Sequence, residues 1–136
     1  MSEKNMWLWL KKARKAGDIV LWRVENRVGT GEPDVSGYIR GYGTIYLELK
    51  YCKAPKRLTS KLDTEVRGSQ IAWHKKMHDA GCDSAFILLR VGKNLYLLPS
   101  SEAERFNAMS YGDFAPWHID CNDPDELFTQ LRLGEL

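Results

Sequence analysis

The first apolar positions of the chain recur at helical spacing. Met6, Leu10 and Ala13 share one stripe, with Trp9 beside it, in a segment rich in helix formers, and Gly17 is a natural stop; the pattern predicts a helix over residues 3–16. Residues 18–24 are β-branched, aromatic and largely apolar, as in a well-covered strand. Gly29, Gly31 and Pro33 break that pattern. Residues 34–39 and 44–50 then read as two strands joined through Arg40, Gly41, Tyr42 and Gly43 as a hairpin. A loop over 52–66 is expected to be mobile, and residues 68–80 read as a second helix stopped by Gly81. Residues 85–91 and 94–98 form another strand pair around Gly92 and Lys93, and Pro99 to Glu102 opens a short helix. Asp123 as a cap, with Pro124 in the first turn, starts a last helix over 124–132. Helix, three strands, helix, two strands and helical additions make an α/β domain: a mixed β-sheet flanked by helices.

At 136 residues, with 43% hydrophobic and 28% charged positions, the chain fits one ordinary domain with a real core. Its apolar runs are short against the roughly 20 residues that cross a bilayer, and its first residues lack the apolar region of a secretory signal; no membrane association and a cytoplasmic location, in the host cell if the protein is viral, are expected. Cys52, Cys82 and Cys121 match neither a disulfide framework nor paired zinc ligands, and read as reduced thiols. The net charge of +2 hides an asymmetry: residues 1–76 sum to +8 and residues 77–136 to −6. A basic first half suits a polyanion, and Lys11, Lys12, Arg14, Lys15, Lys53, Lys56 and Arg57 are the candidate phosphate contacts.

Glu48 and Lys50 lie two apart in a strand, so both side chains leave the same face of the sheet, about 7 Å apart. Antiparallel pairing brings in Asp34. If Ile39 pairs with Gly43, Asp34 falls opposite Glu48; if Arg40 pairs with Thr44, it falls opposite Lys50; the three side chains share a face either way. Two carboxylates beside an ammonium are costly unless a cation joins them, and a hard divalent ion, Mg²⁺ or Mn²⁺, meets that need with waters and phosphate oxygens completing its shell. Such an ion with Lys50 to orient water suits phosphodiester hydrolysis. Other constellations carry less. His74 and His78 are four apart on one helix but lack a third ligand, and read as a surface pair. His118 and Cys121 read as structural, and the five tryptophans as mostly core.

Pro33-Asp34 with Glu48-Leu49-Lys50 resembles the signature of the PD-(D/E)xK nuclease superfamily. The flanking text, Gly31-Glu32-Pro33-Asp34-Val35, Tyr46 to Lys50, Gln70-Ile71-Ala72-Trp73 and Ala80-Gly81, resembles the virus-type replication-repair nuclease module (VRR-NUC), whose small stand-alone members are often phage proteins. The resemblance covers roughly residues 3–98 and implies a restriction-endonuclease-like fold, with a nuclease domain over 1–110 and an extension over 111–136 packed on the domain or on a second subunit. It implies that Asp34, Glu48 and the Leu49 carbonyl bind metal, that Lys50 assists the nucleophile, that Gln70 supports the site, and that an additional acid, Glu3 or Glu25, joins the cluster. A metal-dependent DNA endonuclease, selective for branched or Holliday-junction DNA and working as a homodimer, is the expected activity; a non-catalytic nucleic-acid-binding module of the same fold is the alternative.

Overall fold

The computed structural model describes residues 2–13, 18–24, 31–134 and 136. Helix α1 (Glu3–Leu10) is capped by Ser2, whose Oγ accepts from the Asn5 N–H at 3.2 Å. It is shorter than the periodicity suggests, because the bonds from Lys12 N to Trp9 O and from Ala13 N to Leu10 O tighten its end into a three-residue repeat. The expected helix stop at residues 14–17 lies outside the described residues.

Strands β1 (Ile19–Arg23), β2 (Val35–Ile39) and β3 (Gly43–Cys52) form an antiparallel meander. Ile39 pairs with Gly43 and Val35 with Leu47, which selects the register that carries Asp34 opposite Glu48. Helix α2 (Gly68–Asp79) crosses over to β4 (Ala85–Val91), which pairs parallel with β3; β5 (Asn94–Pro99) and the two-residue β6 (His118–Ile119) follow antiparallel, in the order β1-β2-β3-β4-β5-β6. A 3-10 turn (Ser100–Glu102), helix α3 (Ala103–Phe106), a 3-10 segment (Tyr111–Trp117) and helix α4 (Pro124–Arg132) complete the mixed α/β domain. The Asp123 side chain caps α4, accepting from the Glu126 N–H at 2.9 Å.

The alternation of β2 and β3 divides the core between the two faces of the sheet. One face buries Val35, Ile39, Ile45, Leu47 and Leu49 with Met6, Leu10 and Ala13 from the N-terminal segment and Leu127, Phe128 and Leu131 of α4. The other gathers Ile87, Leu89, Val91, Tyr96 and Leu98 with Phe106 and Phe114. Several apolar side chains of the extension therefore pack on their own chain: Phe114, Leu127 and Phe128 have no exposed surface, while Leu133 remains exposed.

The tryptophans line the rim of the core and are not enclosed by it: Trp7, Trp9 and Trp117 are half-buried against the two clusters, Trp73 is half-buried, and Trp22 is 50% exposed. The loop after β3 is also pinned. Asn107 bonds both the N–H and the C=O of Val66 at 2.8 Å, and Ser60 O and Leu58 O accept from Tyr111 N and Gly112 N at 2.8 and 2.9 Å. No helix among the described residues is long and apolar enough to cross a membrane.

Candidate active site

Glu48 and Lys50 of β3 project onto the α2 face of the sheet, where they sit beside Ile87 and Leu89 of β4. They are buried, with 1% and 7% of their surface exposed. Charges so deeply placed require partners, and α2 supplies one that serves both. Gln70, itself 3% exposed, donates from Nε2 to Glu48 Oε2 at 2.8 Å and accepts at Oε1 from Lys50 Nζ at 3.1 Å. The backbone N–H of Arg67, at the start of α2, donates to the same oxygen at 2.9 Å. Two donors at one end of the amide and a carboxylate at the other leave a single orientation for Gln70.

Asp34 reaches the cluster from the neighbouring strand. Its Oδ2 accepts from the Leu49 N–H at 2.8 Å, in place of the backbone acceptor that β2 no longer provides beyond Val35. The N–H and C=O of one strand residue leave by the same edge, so the Leu49 carbonyl also faces the edge that β2 vacates. Pro33 is buried behind this start, and the Asp34 carbonyl accepts from Val24 N at 2.9 Å.

Glu3 approaches from α1. Its side chain reaches solvent, but its carboxyl lies above the ordinary value. Burial of its inner side comes first; Lys50 opposes that effect and Asp34 reinforces it, while Arg23 and Arg67 act in the same sense as Lys50. Of the two candidate additional acids, Glu3 is thus within electrostatic reach of Asp34 and Lys50, and Glu25 lies outside the described residues. Arg23 and Arg67, which no sequence motif singled out, belong to the same charged surroundings; the one available signal was the position of Arg67 directly before α2. Among the described residues, no three His, Cys, Asp or Glu side chains lie together as a ready-made metal cage. The donor set that is present consists of two carboxylates and a backbone carbonyl, all hard oxygens, and such a partial shell fits Mg²⁺ or Mn²⁺ completed by water and phosphate.

The expected phosphate contacts divide. Lys11 and Lys12 are exposed at the end of α1, and Lys53, Lys56 and Arg57 are exposed on the loop after β3; Arg14 and Lys15 lie outside the described residues. No disulfide joins Cys52, Cys82 or Cys121. Burial raises the Cys52 thiol, and burial together with Glu126, Asp123 and Asp120 raises Cys121 to about 11, so neither supplies a thiolate nucleophile at neutral pH.

A solved structure of related shape comes from an archaeon. It is the Hjc Holliday junction resolvase of the hyperthermophile Archaeoglobus fulgidus, 18% identical over 73% of this chain and 70% of that one, with a TM-score of 0.44. No protein-family model and no curated protein sequence matches the chain.

His74 corrects the expectation of a surface histidine pair, since His78 is exposed and His74 has no exposed surface. The Ser100 hydroxyl gives its proton to Ala85 O at 3.0 Å, so the 2.7 Å contact with His74 Nδ1 requires that nitrogen to donate. The neutral ring then carries its lone pair on Nε2, which is buried without a hydrogen-bond partner. A proton there would be stranded, and burial lowers the pKa from 6.5 to about 4. Above pH 6.5 neither the folded nor the unfolded ring is charged; between 6.5 and 4 only the unfolded ring takes up a proton, so stability falls as pH drops through that window. The expected loss by pH 4 is on the order of 3 kcal/mol. Urea midpoints at pH 7.5 and 4.5 should show it in the wild type, and His74→Phe should remove most of the difference.

Proposed function

We propose that the protein is a metal-dependent DNA endonuclease that hydrolyses phosphodiester bonds, prefers branched DNA such as a Holliday junction, and works as a homodimer. The observation that supports this reading best is the buried chain of bonds from Glu48 through Gln70 to Lys50, with Asp34 held on the backbone between them. A carboxylate and an ammonium this deeply buried, oriented by one amide, would be an expensive way merely to hold a sheet together. The PD-(D/E)xK resemblance of Pro33-Asp34 and Glu48-Leu49-Lys50 points the same way.

In this reading Asp34, Glu48 and the Leu49 carbonyl hold Mg²⁺ or Mn²⁺, with Glu3 as the additional acid. The bound ion would polarise the phosphoryl group and offset its negative charge. Gln70 fixes the Glu48 carboxylate from one side and keeps the Lys50 ammonium pointed at the same locus, so neither group reorganises when the phosphate arrives. Lys50 orients the attacking water and stabilises the charge that develops on the phosphorane oxygens. Lys11, Lys12, Lys53, Lys56 and Arg57 hold the DNA through its phosphates, which positions the backbone without reading sequence. A junction requires two symmetric cuts, which a two-fold pair of single-site chains supplies. Because Phe114, Leu127, Phe128 and Leu131 of the extension are spent on their own domain, the subunit contact is drawn from another surface; Val20 and Trp22 of β1 and Tyr38 of β2, each at least half exposed, are its best candidates.

The direct test is incubation with four-way, linear and single-stranded DNA in Mg²⁺, Mn²⁺ or EDTA. Cleavage in either metal, fastest on the junction, is expected. Full activity in EDTA would refute the metal requirement, and no cleavage of any DNA would refute the assignment. Sedimentation at micromolar concentration checks the dimer.

A further inference from the structure

The connection between β3, which carries Lys50, and α2, which carries Gln70, holds Leu58 outward at its tip. Leu58 is 66% exposed, the most exposed large hydrophobic side chain among the described residues. A single surface leucine needs no explanation by itself; this one stands on an unusually fixed support. The Arg57 carbonyl accepts from Ser60 N at 3.2 Å, closing a β-turn with Leu58 and Thr59 at its centre. The Leu58 carbonyl accepts from Gly112 N at 2.9 Å, Ser60 O accepts from Tyr111 N at 2.8 Å, and Lys61 bridges to Ser110. A Cβ on Gly112 would stand 3.4 Å from Leu58 Cβ and from its carbonyl oxygen, so the turn rests directly on a glycine backbone. Lys53, Lys56, Arg57 and Lys61 are all exposed along the same connection.

We infer that Leu58 is a wedge: resting on the proposed nuclease reading, it packs against a base step opened at a discontinuity of duplex DNA while Lys56 and Arg57 take the flanking phosphates. The excess of exposed cations along this connection selects a polyanion as the occupant, and DNA is a polyanion with an apolar interior available wherever its stack is interrupted. The bonded turn fixes the backbone of Leu58 and the direction of its Cα–Cβ bond, so insertion costs little backbone freedom. The wedge gives the proposed preference for branched DNA a physical origin apart from the catalytic residues, because an intact duplex must be unstacked before Leu58 can enter and a branch point need not be.

The test uses the full chain in EDTA, where binding is read without cleavage, on a three-way junction carrying 2-aminopurine at the branch and on a linear duplex of the same sequence. Wild-type protein should raise the 2-aminopurine fluorescence of the junction and bind it more tightly than the duplex. Leu58→Ala should lose most of the fluorescence rise and weaken junction binding about tenfold, with duplex binding unchanged. Lys56→Gln with Arg57→Gln should instead weaken both substrates alike and flatten the salt dependence. The exposed position makes folding of Leu58→Ala secure, and an unchanged melting curve verifies it. If Leu58→Ala matches the wild type in fluorescence and in junction preference, the wedge is wrong while the nuclease reading stands; a change confined to sedimentation would likewise overturn it and assign the tip to a protein contact. If the wild type binds neither DNA, the nuclease reading fails and takes the wedge with it.

Discussion

Glu48→Gln and Lys50→Ala should each lower DNA cleavage by at least about 100-fold, because each removes a charge that the proposed mechanism places at the transition state. The two variants act differently on the site. Glutamine at position 48 retains the shape of the side chain and an oxygen that can still accept from Gln70 Nε2, so the link between α2 and β3 survives while the negative charge is lost. Alanine at position 50 removes the ammonium and leaves Gln70 Oε1 with its second donor, the Arg67 N–H. Neither change strands a buried donor or acceptor of Gln70, the circumstance that makes polar truncations costly. Glu48→Gln should therefore fold as the wild type does, and Lys50→Ala, which leaves the buried Glu48 carboxylate without the ammonium on its shared amide, should fold with a lowered melting temperature; both should fail at the chemical step, as single-turnover cleavage of a junction in Mg²⁺ would show. Cleavage by both at the wild-type rate, in preparations free of host nuclease, would overturn the assignment.

Gly31→Val should destabilise the fold by roughly 3–5 kcal/mol and disable the site as well. Gly31 has φ of +74°, a conformation that a β-branched residue adopts only under strain. Space is the stronger constraint. A Cβ at this position would lie 2.0 Å from Ser69 O and 3.0 Å from Gln70 N, and these are backbone atoms of the first turn of α2 that cannot swing aside. The helix start would have to move, carrying with it the residue that holds Glu48 and Lys50. A lowered urea midpoint, together with reduced cleavage per folded molecule, is expected; Gly31→Ala should do the same to a smaller degree. A variant as stable and active as the wild type would show that this close approach does not determine where α2 begins.

Much of this arrangement was legible in the amino-acid order. Period-two alternation put Glu48 and Lys50 on one face, and the Arg40-Gly41-Tyr42 turn left only two registers, both of which brought Asp34 to that face. The choice between them rests on Ile39 pairing with Gly43, which two glycines in one turn left open. The function of the inner side of α2 was harder to read, because its fully buried residues, Gln70 and His74, are polar. A helix whose core-facing stripe is polar has no apolar periodicity to declare which side faces inward, and so His74 resembled one of a solvated pair. The pinning of the loop after β3 was also hidden, since its bonds run to the Asn107 side chain and to the backbone of Tyr111 and Gly112, residues about 40 to 55 positions away with no motif of their own. Glycine at position 31 could be seen as a breaker, but not as a contact.

The single parallel pairing among the described residues, β3 with β4, also bears on the order of assembly. Every other neighbour in the β1–β5 part of the sheet is joined by a short connection or the intervening segment before Gly31, whereas β3 meets β4 only when residues about 40 positions apart, such as Tyr46 and Ala85, come together across α2. Loop closure over that span precedes any reward from the contact, so this seam is the slow one. Glu48 and Lys50 pair with Ile87 and Leu89 on that seam, and Gln70 belongs to the segment that must close over it. A chain with its hairpins formed and this seam still open would therefore expose Asp34, Glu48 and Lys50 to water without the burial or the amide clamp of the folded site. Burial of these side chains and completion of the sheet are one event.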